Sequence, residues 1–348
     1  SPSASVNFIR KRPTSEFQAS AEASVGSWNR LSGEVDIGGP VNADGSVRAR
    51  LVTAVRHGDS YIDRYGTDKS VFYGVVDADI SPSTTVSLAV DHQRSDTDGA
   101  FNYNSNPAFY LDGGIFRPSV SFSTGQDWTY WNVRQTSVTP TLEHRFDNGW
   151  LGKVALRHAE ASIDRVSFSP GEYVDRATGM MVGAWGPANA DRSLRYSDTD
   201  SLDAYATGRF DWLGRKHDLA VGLNYGRNDF SMATYNSDTL PAYGIGSGAI
   251  PAPAISSTAT YDQLYSQQQA GMFATARFNP TDALKLMVGG RLSNWQHTTD
   301  DRIRRHIFSY HRTGSNDTPP PDVHSLENHR PGTDPDIPLQ YHVLIVLG

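Results

Sequence analysis

The residues whose types could do chemistry are few and poorly placed for catalysis. Four histidines near the C-terminus, His306, His311, His324 and His329, are of a metal-ligating type. They lack a regular spacing and a rigid element to hold them, so they predict no metal centre. The glycine pairs Gly38-Gly39, Gly113-Gly114 and Gly289-Gly290 belong to no phosphate-binding or dinucleotide motif. No nucleophile elbow or H-E-x-x-H pattern occurs, so no catalytic residue is assigned and the chain does not read as an enzyme. With no cysteine there is no thiolate site or disulfide framework. A formal net charge of -7 without a Lys/Arg run argues against a nucleic-acid binder.

The elements around these residues are strands. Arg-Phe-Asp/Asn closes an alternating segment three times, as Arg145-Phe146-Asp147, Arg209-Phe210-Asp211 and Arg277-Phe278-Asn279, each before a tight turn. Self-similarity at this spacing indicates a repeated unit of short turn, strand, long polar loop and returning strand. Phe17, Ala19, Ala21, Ala23 and Val25 alternate with polar residues, as do Val47, Ala49, Leu51, Thr53 and Val55 against Arg48, Arg50 and Arg56. Arginines on one face and small apolar residues on the other suit a wall with lipid outside and a wet lumen inside. About eleven strands result, with Ile80, Phe146, Phe210 and Phe278 placed for an interfacial girdle. Alternation alone also fits a secreted β-sandwich or β-solenoid; the long/short asymmetry of the loops favours the barrel. No apolar run is long enough for a membrane helix, which leaves a barrel open.

Loops are expected at 57–69, 96–127, 164–195 and 228–261. The longer ones carry aromatics such as Phe101, Tyr103, Phe109, Tyr110 and Phe116, then Tyr173, Met180, Met181 and Trp185. From about Thr299 the composition changes. Six of the eleven histidines lie from His297 onward, and Pro319-Pro320-Pro321 interrupts any strand pattern.

The opening SPSASVNFIRKRPT, followed by a strand ending near SWN, resembles the plug-to-barrel junction of TonB-dependent ferric-siderophore receptors. YIDRYGTDKSVFYGVVDADISPSTTVSLAVDHQ and TLEHRFDNGW are similar to early barrel strands of that family, and the likeness extends to about Gln296. The resemblance implies an all-β fold, an antiparallel transmembrane β-barrel of which about 11 of about 22 strands are present. The implied divisions are 1–14, the end of a plug domain; 15–298, the N-terminal half of the barrel; and 299–348, an irregular tail, frameshifted or disordered. A signal peptide, a TonB-contacting box and most of a plug would lie before Ser1. Strands that do not close leave unpaired edges, so the chain by itself is expected to be non-functional.

The function implied by the resemblance is TonB-energised uptake of a ferric siderophore across the outer membrane of a Gram-negative bacterium. The alternatives are a receptor for cobalamin, haem or an oligosaccharide, and a non-transport surface protein or adhesin. No cofactor is implied, because the iron arrives already chelated. The implied partners are the siderophore, the TonB–ExbB–ExbD complex and outer-membrane lipid and lipopolysaccharide. Candidate ligand contacts at the outer mouth are Tyr103, Tyr110, Trp128, Tyr130, Trp131, Arg134, Tyr173 and Trp185. Each has a competing role in the girdle or in loop packing. Arg10, Lys11 and Arg12 are expected to form ion pairs with luminal carboxylates.

Overall fold

A computed structural model describes residues 10–101, 106–183, 188–303 and 339–342. Eleven long strands follow one another and pair in chain order, every pair antiparallel. The first five are β1 (Gln18–Gly26), β2 (Arg30–Pro40), β3 (Val47–Asp59), β4 (Gly66–Ser81) and β5 (Thr84–Asp98). After the short β6 (Phe109–Tyr110) come β7 (Tyr130–Arg145) and β8 (Leu151–Ser169), then the short β9 (Tyr173–Val174) and β10 (Met181–Val182). The wall continues with β11 (Asn189–Trp212), β12 (Arg215–Asn236), β13 (Tyr261–Phe278) and β14 (Leu286–Ile303), against which β15 (Leu339–His342) lies. β14 thus extends to Ile303, past residue 298, and the histidines at 306, 311, 324 and 329 lie outside the described residues.

Short turns join the strands at one end. The β2–β3 turn at this end is supported by Asn42, which accepts the Val47 N–H at 3.0 Å. The β1–β2 turn lies at the opposite end beside the β3–β4 loop: Trp28 and Asn29 adopt positive φ (57° and 53°), and the Trp28 carbonyl accepts the Asp59 N–H at 2.8 Å. At the first end, two adjacent turns are locked together through His217. Its Nε2 donates to the Trp212 carbonyl at 2.9 Å, while its Nδ1 accepts the Asn279 N–H at 2.9 Å. Phe210, Trp212 and Phe278 enclose that ring.

Register sorts the side chains into two faces. Leu51, Gly74, Val90 and Val138 share one row, and Val47, Ala78, Val86, Leu142, Val154, Ala204, Leu223, Met272 and Leu292 share another. Most of the large residues in these rows are solvent-exposed in the isolated chain. A continuous apolar face of this extent requires lipid, at about 1.5–3 kcal/mol per large side chain removed from water. The opposite face is luminal. It carries the ion pairs Arg48–Asp79 (2.7 Å) and Arg50–Asp36 (2.7 Å) and the buried Asp77, Ser87, Ser137 and Thr139.

The residues before β1 lie against this luminal face. Lys11 pairs with Asp36 at 2.8 Å, and Arg12 with Asp77 at 3.1 Å and Glu143 at 3.3 Å. The expected ion pairs of the basic cluster therefore form for Lys11 and Arg12.

Aromatic rings also cover gaps at the turn end. Trp150 lies over Gly208 so closely that a Cβ there would sit 2.4 Å from the indole, and its Nε1 donates to the Arg209 carbonyl at 3.1 Å.

Candidate functional site

The apolar rows do not run level. In β8, β11 and β12 the unbroken outward apolar rows end at Leu156, Leu202 and Tyr225. His158, Asp200 and Arg227 follow in the next row. Beyond this line charged residues interrupt the outward apolar rows, as on strand stretches that rise clear of lipid. Residues 99–101, 106–129, 170–183 and 237–260 close over this end.

The loops form a cap with its own small core. Phe116, Val174 and Met181 are buried, with Tyr110, Phe122 and Tyr243 packed around them. Strands β6, β9 and β10 make a small sheet inside the cap. Gln126 and Trp128 then hold the third loop by the backbone of one residue, Ile250. The Ile250 N–H donates to Gln126 Oε1 at 2.9 Å, and Trp128 Nε1 donates to the Ile250 carbonyl at 2.7 Å. Gly125 makes the close approach possible, because a Cβ there would meet the Gly99 carbonyl oxygen at 2.1 Å.

Below the cap, the luminal face of the wall is aromatic and cationic. Arg165 lies 5.6 Å above the ring of Trp131, its partner in register. The same guanidinium reaches Asp191 at 2.8 Å, and Ser167 Oγ donates to that carboxylate at 2.6 Å. Further round, Phe230 stacks on Tyr265 with centroids 4.5 Å apart. Tyr265 meets His297 at 5.6 Å, and His297 stacks on Trp295 at 5.5 Å. Stacked rings on a rigid sheet can grip a flat or apolar ligand while guanidiniums fix its charge.

The structure separates the sequence candidates. Trp131 faces the lumen and is 39% exposed. Tyr110 lies in the cap, edge-on to Phe116 at 5.5 Å with Arg176 3.8 Å above its ring. Trp128 also belongs to the cap and contacts Phe168 at 5.7 Å. Tyr173 is in β9, paired with Phe109. Tyr103 and Trp185 lie outside the described residues.

The register places Tyr130 and Arg134 apart from Trp131. Both fall on the outer face with Val138, because each is an odd number of residues from Trp131. Tyr130 donates to Asp164 at 3.2 Å there, and Arg134 borders an outer cavity of about 600 Å³ with Glu160, Tyr196, Asp198 and Leu264. The ladder Phe230, Tyr265, His297 and Trp295 is absent from the sequence candidates. Period-2 spacing carried past the apolar stretch would have found it.

One group of metal-ligating types occurs among the described residues. His158, Asp198 and Asp200 offer ligand atoms within 4.8 Å of one another. All three are exposed on the outer face, and His158 Nδ1 lies 2.9 Å from Asp200.

Comparison with known proteins gives consistent matches. A family model described as TonB dependent receptor-like, beta-barrel matches residues 17–319. The ferric-pyoverdine BN7/BN8 receptor of Pseudomonas putida is 33% identical over 317 residues, covering 86% of this chain and 38% of that protein. The ferripyoverdine receptor of Pseudomonas aeruginosa is 33% identical over 307 residues, with 85% and 36% covered. A crystal structure of the outer-membrane ferripyoverdine receptor of that organism, bound to ferripyoverdine, superposes with a TM-score of 0.75 at 32% identity. It covers 85% of this chain and 40% of that one. The chain thus spans a little over a third of the length of the curated relatives it matches.

Proposed function

Because the chain belongs to the TonB-dependent receptor-like β-barrel family and forms outer-membrane barrel wall, we propose that the protein it builds takes up a ferric siderophore. Uptake would be energised by the TonB–ExbB–ExbD complex acting on a plug whose end is the segment before β1. The observation that carries this reading is the luminal wall, where Trp131, Phe230, Tyr265 and Trp295 stand on rigid strands beneath a folded cap. A siderophore fills the coordination of its own iron, so such a site needs rings and charges in place of metal ligands. The proposed role is transport. Relatives named as ferric-pyoverdine receptors support the substrate class.

The test is uptake of radiolabelled metal, iron for the iron compounds and cobalt for cobalamin, by a receptor-null strain expressing the full-length gene. Ferripyoverdine, haem and cobalamin are offered separately, with and without a functional TonB. TonB-dependent iron accumulation from ferripyoverdine is expected. Accumulation from haem alone, or cobalamin uptake alone, would replace the substrate class. Accumulation of none would remove the uptake reading.

A further inference from the structure

The two faces of the wall above the lipid belt carry opposite charge. On the outside, Glu160, Asp164, Asp198, Asp200 and Asp229 outnumber Arg134, Arg192 and Arg227, with His158 among them. On the lumen side above Leu156 and Leu202, β7, β8 and β11 present Arg157, Arg165 and Arg195, and their only carboxylate there is Asp191. Charge of this kind, sorted by face, is not needed to solvate a strand.

The luminal guanidiniums are also short of partners. Arg165 uses one nitrogen on Asp191, while its Nε is buried and unbonded. The Arg157 Nε is likewise buried without a partner. Arg195 has a 3.3 Å hydrogen bond from Nε to Ser193 Oγ and no carboxylate within 4.0 Å among the described residues. Burial, and then the neighbouring Arg165, lower its pKa from the ordinary value. A guanidinium nonetheless keeps its proton, so the positive charge remains. Buried donors left unbonded are costly to the protein alone, and a site holding them is ready for an acceptor.

We infer that Arg165, over the ring of Trp131, and Arg195, one strand further along the same luminal face, form a subsite for an anionic, planar group of the chelate. This rests on the uptake reading above and narrows it: the receptor selects negatively charged ferric chelates against cationic ones. Trp131 would stack the planar part, with Arg165 fixed over the opposite edge by Asp191. Arg195 supplies the unneutralised charge.

The experiment measures tryptophan-fluorescence titrations of the purified full-length receptor with two probes. One is ferripyoverdine, whose catecholate oxygens are anionic; the other is ferrioxamine B, a cationic hydroxamate chelate. Variants are Arg195→Gln, Arg195→Lys and Ser193→Asp, each checked for a heat-modifiable barrel. Ser193→Asp leaves both guanidiniums in place and supplies the missing carboxylate. Arg195→Gln and Ser193→Asp are expected to weaken ferripyoverdine binding at least tenfold, with Arg195→Lys within threefold of wild type. Neither loss should weaken ferrioxamine B. Arg195→Gln within twofold of wild type for ferripyoverdine overturns the subsite while leaving the uptake reading intact. Equal losses for both chelates, shared by Arg195→Lys, overturn it as well, since a packing role predicts them. Wild-type receptor that binds neither chelate removes both readings together.

Discussion

The Arg12 guanidinium lies 3.1 Å from the Asp77 carboxylate, tying the segment before β1 to the middle of β4 across 65 residues of chain. Asp77 is 3% exposed and its other oxygen has no partner. Arg12→Ala leaves that charge alone in the wall. Breaking a fully buried pair costs about 3–5 kcal/mol, but Arg12 is 44% exposed, so a loss of about 2 kcal/mol is expected. Denaturant unfolding of the full-length receptor in detergent measures it. An unchanged midpoint would show that Arg12 contributes nothing to the junction.

Gly208 is a packing position for Trp150. Gly208→Val drives a branched side chain into the indole, at an expected cost of about 1–3 kcal/mol. Gly290→Ala is the control, since a Cβ there meets nothing within 4 Å. Folding yield, read as the heat-modifiable fraction, should fall for the first and hold for the second. Equal yields would argue against the ring-on-glycine contact.

Trp128→Phe keeps the ring against Phe168 and removes the donor to Ile250. A lost neutral hydrogen bond of this type is worth about 1 kcal/mol. Exchange of the Ile250 amide should accelerate roughly fivefold, in line with that figure. Protection at the wild-type level would mean that the third loop is held by other contacts.

The cap is expected to loosen in acid. The hydrogen bond from Arg176 holds the Asp112 carboxyl below its ordinary value of 3.8, and those from Thr178 and the Ala177 N–H do the same for Asp175. A carboxyl with a depressed folded pKa adds stability that is present above its unfolded value. That stability is lost as pH falls through the folded pKa. Protection of the Leu111 amide, which donates to Val174, should therefore be constant from neutral pH down to about 4 and fall below it. Asp112→Asn should lower protection at neutral pH and flatten the acid step. A step of unchanged size in that variant contradicts the assignment.

Where strands lie in lipid, the sequence is easy to read. Ala49, Leu51, Val76, Leu88, Val154, Leu223 and Met272 alternate with polar residues because one face meets hydrocarbon, and the eleven strands follow from that. Above the belt both faces are wet and the hydropathy signal disappears, although the hydrogen-bond ladder continues. The expected loop 164–195 is therefore strand as far as Ser169 and again from Asn189, and the loop 228–261 begins only after Asn236. Phe230 lies in such a stretch, and Tyr265, His297 and Trp295 continue the ladder from it on strands whose alternation is mostly polar there. Tyr130 and Trp131 show the same limit at one peptide bond. Adjacent residues of a strand point to opposite faces, so the two could not both line the lumen.

The strands lengthen along the chain, from 9 residues in β1 to 24 in β11 and 22 in β12. At about 3.3 Å per residue, β11 is roughly 80 Å long, against an apolar band about 25 Å tall. The rim is thus a ramp, lowest at the first hairpin and highest at the β11–β12 pair. Anything arriving from outside the cell meets that crest first. An epitope inserted beside Ser237 would be reached by antibody on intact cells, and one inserted at Gly214 only after the envelope is opened. The crest also shades the arginine face behind it, so a large visitor would touch the rim long before a small chelate-sized one could slip past to the wall.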